Sequence, residues 1–216
     1  MDTKKAVLVL NGVFPDPSIL ASYSSSAYIK IAVDGGLKYF RHASITPDIL
    51  IGDLDSISLE DRAWAEQQSV QILQYPPEKD ASDFELSLTW VIQQGIPWVR
   101  ILAALGGRLD QTMANCFLLM NDQLRGMDVR FEDGKEEVCL VQQSITLQGQ
   151  PGDIISLLPL QAVVYGVTTH DLKYPLHDEE LSMHQARGIS NVMLTTSAAV
   201  EVKEGLCLLI HTRQGR

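Results

Sequence analysis

Acidic and glycine-rich motifs recur in the first half of this 216-residue chain, each just after a segment that reads as a strand. Their carboxylates are hard oxygen donors that suit Mg²⁺, an ion that proteins commonly share with substrate phosphates. Their glycines and basic residues offer close backbone approach and positive charge to a phosphate. These residue types indicate metal-assisted chemistry on phosphate groups. The motifs are Asp34-Gly35-Gly36, Gly52-Asp53-Leu54-Asp55-Ser56, Lys79-Asp80-Ala81-Ser82-Asp83-Phe84-Glu85 and Leu105-Gly106-Gly107-Arg108-Leu109-Asp110-Gln111-Thr112.

The first motif permits a sharp turn at Gly35 and Gly36, where a ligand can approach the backbone closely. Asp-Gly-Gly turns are common, and this one taken alone has a structural explanation. The motif therefore indicates a ligand site only in combination with the other three motifs.

The second motif carries two aspartates, Asp53 and Asp55. In an extended segment, side chains two residues apart point to the same side, so the pair would present two carboxylates to a metal ion. The alternatives are solvated loop carboxylates, or a cap formed by Asp55 and Ser56 on the following helix.

The third motif opens a predicted helix. Ser82 with Glu85 three residues later fits a capping box, which gives these two residues a structural explanation. Lys79 and Asp80 are not explained in this way. The lysine can contact phosphate oxygens, and Asp80 and Asp83 can add to a metal site.

The fourth motif places Gly106 and Gly107 before Arg108, whose forked donor suits phosphate, and Asp110 at the start of a helix. It is neither a P-loop, since the Gly-Lys-Ser/Thr ending is missing, nor the three-glycine dinucleotide fingerprint. Alone it favours a phosphate site only moderately.

The elements that must position these motifs alternate in type. Short segments rich in Val, Ile and Leu alternate with segments of helical spacing, which predicts an α/β N-terminal domain with a doubly wound, mainly parallel sheet. Such sheets bind ligands at the carboxyl ends of their strands, where the motifs fall. The predicted strands are 6–10, 31–33, 48–51, 70–74, 99–102 and 129–131, and the predicted helices are 17–24, 36–42, 59–68, 82–94 and 110–123.

The second half reads differently. From about residue 132, short strands are separated by Gly, Pro and Asp turns, which predicts an all-β antiparallel sandwich or barrel-like C-terminal domain. Within it, residues 179–185 alone have helical spacing. We place the boundary near Asp133-Gly134, so that the domains span residues 1–133 and 134–216.

The composition argues against several classes of partner and site. A formal net charge of −10 without a Lys/Arg cluster argues against binding nucleic acid, and no apolar run approaches the roughly 18 residues of a membrane span. The polar start favours a cytoplasmic protein over a secreted one. Cys116, Cys139 and Cys207 are expected to be small buried hydrophobic residues, and the histidines, His211 included, to be surface or loop residues.

Taken in order, the four motifs resemble the motif set of thiamine pyrophosphokinases: Asp-Gly-Gly, Gly-Asp-x-Asp-Ser, Lys-Asp-x-Ser/Thr-Asp-x-Glu and Gly-Gly-Arg-x-Asp. The order carries more weight than any single match. Leu172-Lys173-Tyr174-Pro175-Leu176 and Gly188-Ile189-Ser190-Asn191 look like that family's C-terminal signatures, so the resemblance covers most of the chain.

The resemblance implies an enzyme that transfers the pyrophosphoryl group of ATP to the hydroxyl of thiamine, with Mg²⁺ as cofactor and AMP as leaving group. It implies an N-terminal ATP/Mg-binding catalytic domain, a C-terminal thiamine-binding domain, and a homodimer with the active site at the subunit interface. Asp80 is our hypothesis for the acceptor of the hydroxyl proton. The implied catalytic residues are Asp53, Asp55, Asp80 and Asp110; the metal ligands are Asp53, Asp55, Asp80, Asp83 and Asp110; the ATP contacts are Asp34, Gly35, Gly36, Lys79, Gly106, Gly107 and Arg108; the thiamine contacts are Ser190 and Asn191, which also fit a turn.

One position departs from the family pattern, because Gln111 stands where a His often follows the motif aspartate. Gln forms hydrogen bonds but cannot shuttle a proton near neutral pH. We expect activity to survive, since phosphoryl-type transfer depends mainly on positioning and charge neutralisation. Two alternatives stay open: a phosphohydrolase with Asp53 as nucleophile, and a sensor that binds thiamine or nucleotide without turnover.

Overall fold

The computed structural model describes residues 4–78 and 80–215. The chain divides into two compact units, Met1–Asp133 and Gly134–Arg216, called the N-terminal and the C-terminal unit below. Throughout the described residues, no helix has the length and apolar character needed to cross a membrane.

A parallel sheet forms the framework of the N-terminal unit. Its strands are β1 (Lys5–Val9), β2 (Tyr28–Val33), β3 (Ile49–Gly52), β4 (Gln71–Gln74), β5 (Trp98–Leu102) and β6 (Asp128–Glu132). They lie in the order β6-β5-β1-β2-β3-β4, and every neighbouring pair is parallel. The chain runs outward from β1 through β4 and then returns to the other side of β1 for β5. This reversal creates a switch point between β1 and β5, the place where open α/β sheets bind ligands.

Within the described residues, four α-helices and three short 3-10 helices connect these strands. The helices are α1 (Leu37–His42), α2 (Leu59–Gln67), α3 (Asp83–Gln93) and α4 (Leu109–Leu118), and the 3-10 helices are Pro17–Tyr23, Asp34–Gly36 and Asp122–Leu124. Ser58 caps α2 by accepting a hydrogen bond from the Asp61 amide at 3.0 Å, and Ser82 caps α3 through the Glu85 amide at 3.2 Å. The alternative in which Asp55 and Ser56 cap the helix after β3 is therefore wrong.

Two predicted helices differ from the observed elements, one in its type and the other in its length. The segment that begins at Pro17 is a 3-10 helix, with the Asp16 side chain accepting from the Ser18 amide. Helix α4 stops at Leu118 rather than near residue 123. There the Asn121 side chain accepts from the Gln123 amide, and this local bond competes with continuation of the helix.

The C-terminal unit is an antiparallel β-sandwich. Its strands are β7 (Glu136–Val141), β8 (Ser144–Gln148), β9 (Ile154–Pro159), β10 (Val163–His170), β11 (Glu179–Ser182), β12 (Asn191–Val192), β13 (Ser197–Glu201) and β14 (Cys207–Thr212). Strands β12, β9, β14 and β7 lie side by side in one sheet, and β11, β10, β13 and β8 in the other. Buried side chains from both sheets, such as Leu157, Val167 and Leu209, share one core. The prediction of an α/β domain followed by an antiparallel β domain is confirmed.

The helix predicted over residues 179–185 is wrong, because Glu179–Ser182 is strand β11. It pairs with β10, with Leu181 opposite Val164 and Ser182 opposite Val163. Leu181 is fully buried in the sandwich core. Strand pairing and burial of Leu181 override the local helical spacing.

The expectation that His211 lies on the surface is also wrong. His211 is fully buried on β14, and its Nε2 lies 2.9 Å from Asp153 Oδ2. Cys116 and Cys207 are free thiols, and the expectation that all three cysteines are buried is wrong for Cys116. Cys139 and Cys207 are buried, Cys116 only partly so, and burial raises the pKa of the Cys207 thiol to about 11.

Candidate active site

Three carboxylates converge at the carboxyl edge of the parallel sheet. Asp34 follows β2, Asp53 follows β3, and Asp83 is the first residue of α3. One oxygen from each lies within 4.8 Å of the other two, and all three residues are partly buried. We call this group the carboxylate triad. Like charges at such separations repel one another, and a divalent cation relieves the repulsion.

The surroundings of Asp34 show whether a cation fits the carboxylate triad. Its Oδ2 accepts a short hydrogen bond from the Ser56 hydroxyl, whereas its buried Oδ1 has no hydrogen-bond partner among the described residues. Buried polar atoms normally have a partner. The backbone of Asp34 has a φ of 48°, in the left-handed region that non-glycine residues seldom adopt and that clusters at functional sites. The donor set therefore fits an oxygen-seeking ion such as Mg²⁺.

The glycines after Asp34 are required by close packing. A Cβ on Gly35 would lie 2.4 Å from Asn11 Nδ2 and 2.6 Å from Ser56 Oγ. A Cβ on Gly36 would lie 2.0 Å from the Val9 carbonyl oxygen, so only glycine lets α1 start this close to β1. Contact of Gly35 and Gly36 with ATP stays a prediction.

Asp55 lies beside the triad by a route that differs from the predicted one. The segment is not extended, since β3 ends at Gly52 and Leu54 has a φ of 70° with its side chain buried. The Asp55 amide donates to Asp53 Oδ1 at 3.1 Å. The charge of Asp53 raises the pKa of the exposed Asp55 carboxyl, and Asp34 and Asp83 act in the same direction. Asp55 is thus an electrostatic neighbour of the triad.

The triad includes none of the other predicted N-terminal residues that the structure describes. Asp80 is exposed, and Lys79 lies outside the described residues. Arg108 donates to Asp110 through Nε at 3.1 Å and also through Nη2, and these bonds lower the pKa of the Asp110 carboxyl. Gly106 and Gly107 have φ values of 77° and 76°, so the turn before this pair needs glycine. Roles of these residues toward metal or ATP stay predictions.

Sequence reasoning missed two polar residues at this edge, Asn11 and Lys38. Asn11 follows β1, and its Nδ2 donates to Ser56 Oγ at 3.3 Å. Lys38, on α1, donates from Nζ to Asn11 Oδ1 at 2.7 Å. The position of Asn11 directly after the first buried strand was a usable signal. Carboxylates and glycines mark the other strand ends, and an amide carries neither of those signals.

In the C-terminal unit, the structure brings the two signature segments together. Asn191 is buried; its Oδ1 accepts from the Tyr174 and Val192 amides, both at 2.9 Å, and its Nδ2 donates to the Tyr174 carbonyl at 2.7 Å. Ser190 has a φ of 56°, and its amide donates to Ser156 Oγ at 3.0 Å. Asn191 thereby fixes the backbone at the exposed Tyr174. Contact of Ser190 and Asn191 with thiamine stays a prediction.

The C-terminal unit also contains a polar cavity of about 380 Å³. Arg213 lines it and is held by Glu137, whose Oε2 lies 2.6 Å from Arg213 Nη2. None of the predicted site residues contributes to its wall, which is formed by Gln148, Gly149, Gln150, Asp153, Thr196 and Arg213.

The fold and the triad define a class of protein: an α/β unit with a cluster of carboxylates at the carboxyl edge of its parallel sheet, followed by an antiparallel β unit. A family model described as thiamin pyrophosphokinase, catalytic domain, matches residues 20–131. A second, described as thiamin pyrophosphokinase, vitamin B1 binding domain, matches residues 142–207. The chain belongs to the thiamin pyrophosphokinase family, and the resemblance seen in the motifs is confirmed.

Individual relatives resemble this chain over most of its length. The thiamine pyrophosphokinase of Bacillus subtilis (strain 168) is 24% identical over 195 residues, which cover 89% of this chain and 91% of the relative. The crystal structure of thiamine pyrophosphokinase from Bacillus subtilis has a TM-score of 0.88 at 22% identity, covering 98% of this chain and 100% of that one. The yeast thiamin pyrophosphokinase structure has a TM-score of 0.82 at 16% identity, covering 98% and 87%. These structures share the fold of this chain.

Proposed function

We propose that this protein transfers the pyrophosphoryl group of ATP to the hydroxyl of thiamine, giving thiamine diphosphate and AMP. Membership of the thiamin pyrophosphokinase family supports the reaction class. The observation that carries the proposal is the carboxylate triad, with the buried unpartnered Oδ1 of Asp34, at the ligand-binding edge of the parallel sheet.

In the proposed reaction, the thiamine hydroxyl oxygen attacks the β-phosphorus of ATP in line. A bond forms between that oxygen and the β-phosphorus, and the bond from the β-phosphorus to the α,β-bridging oxygen breaks. AMP leaves with the bridging oxygen and its electron pair. The hydroxyl proton passes to a carboxylate, for which we propose the exposed Asp80.

We propose Mg²⁺ as the cofactor, held by Asp34, Asp53 and Asp83. When bound, it would neutralise charge on the phosphate oxygens. Asp55, at the edge of the triad, adds negative charge that favours cation binding, and Asp110 remains a further proposed ligand. Lys79 and Arg108 are proposed to contact phosphate oxygens, as Arg does in a forked geometry.

For thiamine, we propose Ser190 and Asn191 of the C-terminal unit. The hydrogen bonds of Asn191 to the Tyr174 backbone support a role in holding the Tyr174 ring ready for a planar ligand. Tyr174 is 61% exposed, with the Lys173 ammonium 5.5 Å from the centroid of its ring, so the side chain is accessible to an aromatic partner.

We further propose a homodimer with the active site completed at the subunit interface. Helix α4 supports it, because Leu109, Met113 and Phe117 recur at intervals of four residues and are 73%, 48% and 52% exposed. An exposed apolar stripe of this kind is typical of an interaction surface. Replacing Phe117 by Glu is expected to yield monomers in light scattering, whereas an unchanged mass would remove this face from the interface. A cytoplasmic location remains a prediction from the sequence.

The reaction is tested by incubating the purified protein with ATP, Mg²⁺ and thiamine and following AMP and thiamine diphosphate together. We expect equal amounts of both products, none without thiamine, and none in EDTA. Asp53→Asn is expected to lose activity, whereas Asp122→Asn, the same change at an 80% exposed carboxylate in the same unit, is the matched control.

Two other outcomes would overturn the proposal. Release of ADP or free phosphate, with acyl-phosphate trapped on Asp53, would establish a phosphohydrolase. Calorimetric binding of thiamine or nucleotide without AMP would establish a sensor.

A further inference from the structure

Lys38 places a positive charge three hydrogen bonds away from Asp34 of the carboxylate triad without pairing it to a carboxylate of the described residues. It is the second residue of α1, and its Nζ donates to the neutral Asn11 Oδ1 at 2.7 Å. The ammonium also lies 4.8 Å from the centroid of the Tyr39 ring. Within residues 4–78 and 80–215, Lys38 forms no ion pair. An ammonium has three donors, so this geometry leaves donors for an anion.

A chain of hydrogen bonds connects this ammonium to the triad. Asn11 accepts from Lys38 and donates from Nδ2 to Ser56 Oγ at 3.3 Å, and the Ser56 hydroxyl donates to Asp34 Oδ2. Asn11 therefore accepts at Oδ1 and donates at Nδ2, and these two hydrogen bonds fix the orientation of its side-chain amide. Gly35 makes room for the chain, because a Cβ there would collide with both Asn11 and Ser56.

The chain lies where a parallel sheet binds ligands. Asn11 and Gly12 follow β1, and the Gly12 amide donates to the Ala103 carbonyl directly after β5, which is the switch point of the sheet. The Tyr39 hydroxyl donates to the Gly12 carbonyl at 2.6 Å and ties α1 to this turn. A cation held at the switch point, beside a cation-seeking triad, matches a ligand that presents several phosphates.

We propose that Lys38 is a phosphate-binding residue of the nucleotide site, its ammonium contacting a non-bridging oxygen of the nucleoside triphosphate that the triad engages through its metal ion. This inference rests on the proposed function, since it takes a nucleotide as the substrate. It assigns a phosphate contact outside the four motifs, in addition to Lys79 and Arg108. The Asn11–Ser56–Asp34 chain positions the ammonium relative to the metal ligands.

The competing role is purely structural, with Lys38 serving only to fix Asn11. The two roles differ in how binding depends on the number of phosphates. A phosphate contact affects nucleotides with phosphates and leaves adenosine untouched, whereas a structural defect weakens every ligand of the site alike.

The test measures binding by calorimetry in the presence of Mg²⁺, with adenosine, AMP and α,β-methylene-ATP as probes. Lys38→Met is expected to weaken binding of the triphosphate analogue about tenfold while leaving adenosine unchanged. Lys38→Arg keeps the charge and is expected to retain most of the affinity. Lys203→Met removes the same charge from an exposed ion pair with Asp178 in the C-terminal unit and serves as the matched control.

Three results would overturn the inference: unchanged affinity of Lys38→Met for the analogue, an equal loss for adenosine, or no binding of the analogue by the unaltered protein. If Lys38→Met fails to fold, as judged by thermal unfolding, Lys38→Gln and Lys38→Arg carry the comparison. The proposed reaction stands or falls separately, on the formation of AMP and thiamine diphosphate. A protein that binds the analogue through Lys38 yet forms neither product would refute the reaction alone.

Discussion

The Ser56 hydroxyl donates to Asp34 Oδ2 and so occupies the one oxygen of Asp34 that has a protein partner among the described residues. Oδ1 is left as the oxygen that a cation can take. Asp34→Asn keeps the size of the side chain and an acceptor for Ser56 but removes the charge. We expect turnover to fall by about 100-fold or more, with a higher Mg²⁺ requirement. Initial rates over a range of Mg²⁺ concentrations measure both effects.

Ser56→Ala is a milder change at the same site than Asp34→Asn. It removes the hydrogen bond that orients Asp34 and the acceptor for Asn11 Nδ2 but keeps the charge of Asp34, so we expect a loss of about three- to tenfold. If Asp34→Asn turned over normally, the triad would have to lose Asp34, and the buried Oδ1 would need another explanation.

Asp55 is expected to favour activity at the expense of stability. The charge of Asp53 raises the pKa of the Asp55 carboxyl, so the folded state disfavours ionised Asp55 and is less stable above that pKa than below it. Asp55→Asn should therefore raise the melting temperature of the metal-free protein, and the gain should grow as the pH rises from about 3 to 7. Thermal unfolding in EDTA over that range measures it.

The same variant should lose activity, because the lost charge weakens cation binding. Lower melting temperatures at every pH would show that Asp55 is structurally required. Normal turnover would place it outside the site.

The order of the motifs along the chain predicted that carboxylates lie at the carboxyl ends of the parallel strands. Asp53 and Asp83 follow from the rule that ligands bind where parallel strands end. The convergence of Asp34 with them depends on a left-handed φ at Asp34 and on side chains packed over Gly35, neither of which leaves a trace in periodicity. Asn11 escaped for a related reason, since a single amide after a strand is too common to stand out.

In the C-terminal unit, the errors arose from tertiary pairing. The Glu179–Ser182 segment becomes a strand because β10 offers it a partner, and His211 is buried because β14 is central, with β7 and β9 on its two sides. A buried histidine needs a specific acceptor, and Asp153 lies 58 residues earlier in the sequence. Local patterns report spacing along the chain and cannot report such a distant partner.

We expect Asn191 to stabilise the protein through its hydrogen bonds to the backbone of Tyr174 and Val192. Asn191→Ala removes three hydrogen bonds inside a buried setting, which should cost about 2 to 3 kcal/mol of unfolding free energy. Asn191→Asp keeps the acceptor for the Tyr174 and Val192 amides but sets a buried carboxylate oxygen against the Tyr174 carbonyl, so it should cost at least as much. Urea unfolding ranks the variants.

If Asn191 also serves thiamine, the KM for thiamine should rise in both variants while the KM for ATP stays within about twofold. Equal changes in both constants would reduce Asn191 to a structural residue.

The buried pair of Asp153 and His211 predicts acid sensitivity of the C-terminal unit. Burial alone would raise the pKa of Asp153, but hydrogen bonds from the Gln214 amide, His211 and the Gln150 amide more than offset it, and the net pKa is lowered. A carboxyl with a lowered folded-state pKa stabilises the protein above its unfolded value, about 3.9, and loses that contribution as the pH falls through the folded value.

Asp153→Asn should therefore destabilise the protein by about 3 kcal/mol near neutral pH, and the difference from the unaltered protein should shrink below about pH 4. Asp178→Asn, at an exposed carboxylate of the same unit, should change unfolding free energy by less than about 1 kcal/mol. Urea titrations at several pH values give both numbers. A difference for Asp153→Asn that stayed constant down to pH 2 would show that its charge is not what Gln214, His211 and Gln150 stabilise, and that shape alone accounts for the loss.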